Sequence, residues 1–223
     1  MDRALAPAAA DLGSTWALVP LRGLADAKTR LSATLDPEER LALVTTMAIR
    51  TLAATRDAAS LRGTVLVTAD PAAAALAREF GARTIVQRLP GLNAALREAR
   101  AEAIAAGATA VLVVPIDLPA ISPSMIEALI ADAHLRIADR PLVVAVPDRH
   151  GRGTNALLIS PADAIDPAFG EDSFEAHAAA AHAAGAEFLR HEGPLTLDLD
   201  TGDDLLAAAA RADGAGDGSR DAA

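Results

Sequence analysis

The chain has 223 residues, 52% hydrophobic and 22% charged, with a formal net charge of -10. That is the make-up of a folded globular protein with one sizeable core, and it excludes a disordered one. So acidic a balance argues against a nucleic-acid binder, which presents a basic face to phosphate, and no apolar run nears the roughly 20 residues of a membrane-spanning helix. Cysteine is absent, which removes disulfides, thiolate zinc sites and cysteine nucleophiles and suits a reducing cytoplasm.

Residues 1–14 lack the continuous apolar core of a signal peptide and read as a flexible leader. A strand is expected at WALVP (16–20), then a helix from Pro37 to about Arg56. Asp36, Pro37, Glu38 and Glu39 supply its N-cap, first-position proline and acidic first turn, and Leu41, Val44, Ala48 and Leu52 its apolar stripe. TVLVT (64–68) reads as a buried strand, PAAAALAREF as a helix stopped by Gly81, and RTIV as a short strand. A helix closed by Gly107 follows. AVLVVP (110–115) is the most apolar strand, and a helix opens at Ser122-Pro123. LVVAV (142–146) and ALLIS (156–160) flank the loop PDRHGRGTN. A helix then runs up to Gly185, with strands near EFLR and LTLDLD and a last helix from Thr201. Strands alternating with helices mean βαβ units: one α/β domain over residues 15–210, a mainly parallel sheet with helices on both faces, and a disordered tail at 211–223. In such sheets ligands lie at the carboxyl ends of the strands, so the loops after Pro20, Thr68, Val114, Val146 and Leu199 are the ones to search.

The first of these, PLRGLADAKTRL, carries Arg22, Lys28 and Arg30, and Lys28 is the chain's sole lysine beside nineteen arginines. Neither a dinucleotide fingerprint nor a Walker P-loop is present. A solvated basic loop is the plain reading; a phosphate-binding loop competes with it, because an acidic protein must meet an anionic substrate with local positive charge or a metal. Asp117 stands just past the most apolar strand between two prolines. It serves either as a loop residue or as a carboxylate for a magnesium ion. In LDLDTGDDL, a strand would turn Asp198 and Asp200 to one face, where two carboxylates repel unless a cation lies between them. Asp203 and Asp204 read instead as first-turn acids, with Thr201 and Asp204 spaced as a capping box. Mg2+ on Asp117, Asp198 and Asp200 is the expected metal centre.

In PDRHGRGTN, Gly151 and Gly153 let backbone approach a ligand, Thr154 and Asn155 offer hydrogen bonds, and Arg149 and Arg152 offer charge. FGEDSF opens a helix with Ser173 near its cap, suited to an anion or to ordinary capping. Of the five histidines, His177 and His182 do not share a helix face as an i, i+4 metal pair would, His134 and His191 read as surface residues, and only His150 stands in a loop of interest. No Ser-His-Asp triad and no HExxH site is present. These parts fit nucleotidyl transfer to a phosphorylated acceptor, whose ionised phosphate attacks an α-phosphorus without a general base while Lys28 and Arg30 hold the phosphates and pyrophosphate leaves.

Taken together, WALVPLRGLADAKTRLS, LDPEER, PIDLP, PDRHGRGTNALL, FGEDSFEAH and LDLDTGDDL resemble, in order and from about Trp16 to Leu206, the CofC/FbiD family of guanylyltransferases of coenzyme F420 biosynthesis. The resemblance implies a single-domain nucleotidyltransferase fold related to MobA-like enzymes. It also implies joining of GTP to 2-phospho-L-lactate, phosphoenolpyruvate or 3-phospho-D-glycerate, with the product passed to a downstream F420 transferase. It leaves room for a homodimer. Motif by motif, it implies Arg22, Lys28 and Asn93 for the nucleotide and Thr154, Gly170 and Ser173 for the acceptor, to which the charge of Arg149 in the PDRHGRGTN loop is added as a further acceptor contact. Arg22 stands where many relatives have lysine. The PDRHGRGTN form is closer to the archaeal and proteobacterial branches and leans toward phosphoglycerate or phospholactate. The rival readings are a MobA-like nucleotidyltransferase acting on a sugar phosphate or pterin cofactor, whose glycine-rich GxGxR-type first loop is missing here, and a non-catalytic nucleotide-binding module.

Overall fold

Local chemistry starts each helix. In the computed structural model, which describes residues 8–25, 27–28, 31–32, 34–199 and 204, α1 (Pro37–Asp57) opens on a full capping box. The Asp36 side chain accepts from the Glu38 and Glu39 N–H groups while the Glu39 carboxylate accepts from the Asp36 N–H. Asp70 caps α2 (Pro71–Glu79), and Ser122 caps α4 (Pro123–His134) through the Met125 N–H. α3 (Leu92–Ala105) ends before Gly107, and α5 (Ser173–Ala183) before Gly185, each glycine at positive φ. Leu41 leaves the expected α1 stripe: Val44, Ala48 and Leu52 are buried, but Leu41 is exposed in the first turn, ahead of the point where the helix meets the sheet.

The strands are β1 (Thr15–Pro20), β2 (Leu61–Thr68), β3 (Arg83–Val86), β4 (Ala110–Val113), β5 (Leu142–Pro147), β6 (Thr154–Ser160) and β7 (Glu187–Arg190). They form one seven-stranded sheet in the order β3-β2-β1-β4-β6-β5-β7. β1 pairs in parallel with β2 and β4, β2 with β3, and β5 with β7, whereas β6 runs antiparallel to both β4 and β5. The antiparallel strand follows from loop length, since residues 148–153 are too few for the crossover that a parallel return needs. Side chains alternate between two buried faces. Trp16, Leu18, Val65, Val67, Val111 and Val113 pack under α3, while Val19 and Leu66 pack under α1 and α2, and Leu112, Val144 and Leu158 under α4. Helices therefore cover both faces, as expected of a doubly buried sheet.

The LTLDLD segment is not a strand. Pro194–Thr196 form a 3-10 turn and residues 197–199 run irregularly, fixed by single hydrogen bonds from Asn155 Nδ2 to the Leu195 carbonyl and from the Leu199 N–H to the Asp117 carbonyl. The period-two burial survives without a ladder: Leu195, Leu197 and Leu199 are buried while Asp198 faces the other way. The final helix apart from Asp204, the tail and residues 1–7 of the expected leader lie outside the described residues, as do Arg30 and Asp200. Residues 8–14 do not form a flexible leader: Ala10 and Leu12 are buried in the core, the Ala10 N–H donates to the Arg140 carbonyl, and the Asp11 N–H and carbonyl both bond the Ser160 hydroxyl. No helix among the described residues is long and apolar enough to cross a membrane.

Candidate active site

A cavity of about 380 Å3 opens at the carboxyl ends of β1 and β4, under the loops that follow them and the start of α5. Its lining brings Arg22 and Lys28 from the loop after β1, Asp117 from the loop after β4 and Asp198 together with Asp148, Gly153 and Thr154 from the β5–β6 connection and Gly170 and Ser173 at the start of α5. A second hollow of about 230 Å3, lined by Val67, Gln87, Gly91 and Ala95, adjoins it through the shared residues Pro20, Leu21, Arg22 and Leu92.

The basic loop is held from below. After β1, the Leu21 N–H bonds the Val67 carbonyl, and the Leu24 N–H donates to Asp70 Oδ2 at 2.9 Å. The Leu24 N–H foremost, with those of Ala72 and Ala73, holds the Asp70 carboxyl below its ordinary value. Lys28 has φ of 57°, a left-handed backbone rare for a side-chain-bearing residue. Its ammonium donates to Asp117 Oδ2 at 2.8 Å, with the lysine side chain only 10% exposed. The Leu199-to-Asp117 backbone bond then draws Asp198 to the same cavity.

In the β5–β6 connection Asp148 closes its own loop by accepting from the His150 and Arg152 N–H groups. Gly153 packs closely on it: a Cβ there would come within 2.8 Å of Asp148 Oδ2, so the Asp148 side chain would have to shift. Arg152 pairs with Asp172 and Glu171, bridging this loop to the start of α5 and drawing the Asp172 carboxyl below its usual range. Ser173, at the first position of α5, is 2% exposed and lines the cavity. A hydroxyl at a helix N-terminus beside a cavity is a ready donor to an anion.

Seven of the expected site residues thus meet around one cavity: Arg22, Lys28, Asp117, Thr154, Gly170, Ser173 and Asp198. Two do not line it. Asn93 instead holds the 169 backbone at both ends, donating to the Phe169 carbonyl and accepting its N–H. The Arg149 guanidinium is engaged by Asp204, a buried carboxylate. His191 is more than a surface residue, sharing a bond with Asp132 at 3.0 Å. Sequence reasoning missed Asp70, Asp148 and His177. The signal for His177 was present: Ser173, His177 and Ala181 recur every fourth residue and are the buried stripe of α5.

The expected magnesium site fits in kind. Asp117 and Asp198 give hard oxygen donors in one cavity, the set that Mg2+ prefers. Among the described residues no group of three or more His, Asp or Glu is gathered tightly enough to hold a metal.

A mixed α/β sheet with a cleft at its carboxyl edge, lined by both cations and carboxylates, is the architecture of the nucleotidyltransferase fold. Across 86% of this chain and 84% of its own, a solved protein of Desulfovibrio desulfuricans G20 assigned as a nucleotide-diphospho-sugar transferase superimposes with a TM-score of 0.62 at 16% identity, a likeness of fold alone. The family described as "Guanylyl transferase CofC like" matches residues 15–217, and the chain belongs to it. Curated relatives include the phosphoenolpyruvate guanylyltransferases of Sphaerobacter thermophilus, 41% identical over 86% of this chain and 91% of that protein, and of Rubrobacter xylanophilus, 42% identical over 86% and 92%.

Proposed function

We propose that the protein transfers the guanylyl group of GTP to the phosphate of a small three-carbon phosphorylated acid, releasing pyrophosphate, as a cytoplasmic step of coenzyme F420 biosynthesis whose product goes to a downstream transferase. The observation that carries this reading is one cavity lined both by Arg22 and Lys28 and by Thr154, Gly170 and Ser173. It brings cations for a triphosphate together with neutral donors for a small anion. The adjoining hollow at Gln87 and Gly91 has room for the nucleoside half. The names of the relatives favour phosphoenolpyruvate as acceptor over phosphoglycerate or phospholactate, against the leaning taken from the PDRHGRGTN loop.

In this arrangement an acceptor phosphate oxygen forms a bond to the α-phosphorus of GTP as the α–β anhydride bond breaks. The acceptor oxygen is already ionised near neutral pH, so no side chain has to remove a proton. Lys28 and Arg22 orient the phosphates and offset charge that builds on the leaving pyrophosphate, with Arg30 assigned the same role from sequence. Thr154, Gly170 and Ser173 hold the acid in line with the bond that breaks. Asp117 and Asp198, with Asp200, would hold Mg2+, which supplies charge neutralisation on the triphosphate when bound.

The test incubates the protein with Mg2+, each nucleoside triphosphate in turn, and each of the three acids, and measures pyrophosphate. Release that requires both GTP and one acid, fastest with phosphoenolpyruvate, is the expected outcome. Release without any acid, or with ATP alone, overturns the proposal.

A further inference from the structure

His177 lies on the buried face of α5 and is 0% exposed, yet it is hydrogen-bonded to the cavity-lining Thr154. Its Nε2 receives the Ala168 N–H at 2.9 Å, and its Nδ1 is 3.0 Å from Thr154 Oγ1. A backbone N–H can only donate, so Nε2 is the unprotonated nitrogen. In a neutral imidazole the proton then sits on Nδ1, and Nδ1–H donates to the threonine oxygen. Burial favours that neutral form, lowering the His177 pKa from 6.5 to about 4. The Phe169 ring meets the imidazole edge-on at 5.0 Å, and Asn93 grips Phe169 by both backbone groups, so Ala168 is held where it must donate.

Having accepted from Nδ1, the Thr154 hydroxyl has its own hydrogen left to give. Among the described residues Oγ1 makes no other hydrogen bond, and Thr154 lines the cavity. With the opposite tautomer the threonine would donate backward into the ring and show an approaching anion only lone pairs, a repulsive arrangement.

We propose that His177 is a positioning residue that turns the Thr154 hydroxyl into an obligate hydrogen-bond donor toward an anionic oxygen of the phosphorylated acid. This rests on the reading that the acid occupies the Thr154, Gly170 and Ser173 wall. His177 makes no contact with the reacting atoms; it acts through the direction of one O–H bond.

Two substitutions separate the bonds of the ring. In His177→Asn the side-chain nitrogen falls near the Nδ1 position and can still donate to Thr154, whereas in His177→Gln the side-chain oxygen falls near Nε2 and can keep only the Ala168 bond. With phosphoenolpyruvate and GTP as substrates, His177→Gln and Thr154→Val are each expected to raise the KM for the acid about tenfold, the net worth of one charge-assisted hydrogen bond. The KM for GTP should stay within about twofold, His177→Asn should lie near the parent, and the double variant His177→Gln/Thr154→Val should be no worse than Thr154→Val alone. If Thr154→Val raises the KM and His177→Gln does not, the acceptor wall stands and the role of His177 is overturned. If Thr154→Val leaves the KM unchanged, the acceptor reading itself falls. The unmodified protein gives an answer that depends on no variant folding: long-range nitrogen-15 NMR of the imidazole should show the Nδ1–H tautomer, and an Nε2–H tautomer overturns the proposal.

Discussion

Lys28 is the one place where a chain that otherwise uses arginine for every basic side chain has kept lysine. Its environment supplies a reason. The ammonium sits nearly enclosed against Asp117 at 2.8 Å, on a left-handed backbone that a non-glycine residue adopts only where surrounding structure enforces it. A compact ammonium fits between a carboxylate and a phosphate chain, while a planar guanidinium needs a wider slot and prefers a bidentate grip. Lys28→Arg is therefore expected to fold normally, as read by circular dichroism and melting temperature, and to lose at least about tenfold in turnover, or about 1.4 kcal/mol of transition-state stabilisation. Turnover within twofold of the parent would make the lysine an accident of composition. Sequence alone could single out this residue by its rarity; it could not show the ion pair, because Asp117 lies 89 positions away.

Among the elements, α2 does more than cover the sheet. Asp70 caps it through the Ala72 N–H and with its other oxygen ties down Leu24 of the basic loop. Asp70→Ala should cost about 1 kcal/mol for the lost cap, seen as a lower urea midpoint. It should also raise the KM for GTP several-fold, because the loop bearing Arg22 and Lys28 loses its anchor; a lower midpoint with an unchanged KM would confine Asp70 to capping. The cap joins neighbours in the chain, whereas the second bond joins two loops far apart in it, which no local pattern announces. The segment from Leu195 to Leu199 teaches the converse. Its alternation reads as a strand; the leucines turn inward and Asp198 the other way, yet residues 195–199 form no ladder, because burial of one face dictates the period whether or not a neighbouring strand is there to pair.

For the molecule as a whole, His177 couples the acceptor wall to folding stability. Its folded-state pKa of about 4 lies below the unfolded value of 6.5, so the unfolded chain binds the proton more readily. The sign follows: stability is full above about pH 6.5, declines as pH falls toward 4, and this one group accounts for a loss on the order of 3 kcal/mol. Asp70 and Glu127, whose carboxyls are held below their ordinary values by hydrogen bonds, add a separate loss only at lower pH, as they protonate. Urea midpoints at intervals from pH 7.5 to 4 should show the first decline, and a flat profile between 6.5 and 4 would contradict a buried neutral His177.

What the sequence determined by itself was the local grammar: where helices begin and end, which strands are buried on both faces, and that cations, carboxylates and a helix start gather at the carboxyl edge of one α/β sheet. These are readable because capping, periodicity and loop position depend on residues close together in the chain. Only the tertiary structure decided the partners. It closed Lys28 on Asp117, gave Arg149 to Asp204, turned Asn93 to the Phe169 backbone and set His177 behind Thr154. Each of those pairings spans at least 23 positions, and which distant groups meet is settled by how the helices pack on the sheet, a choice that no local pattern encodes.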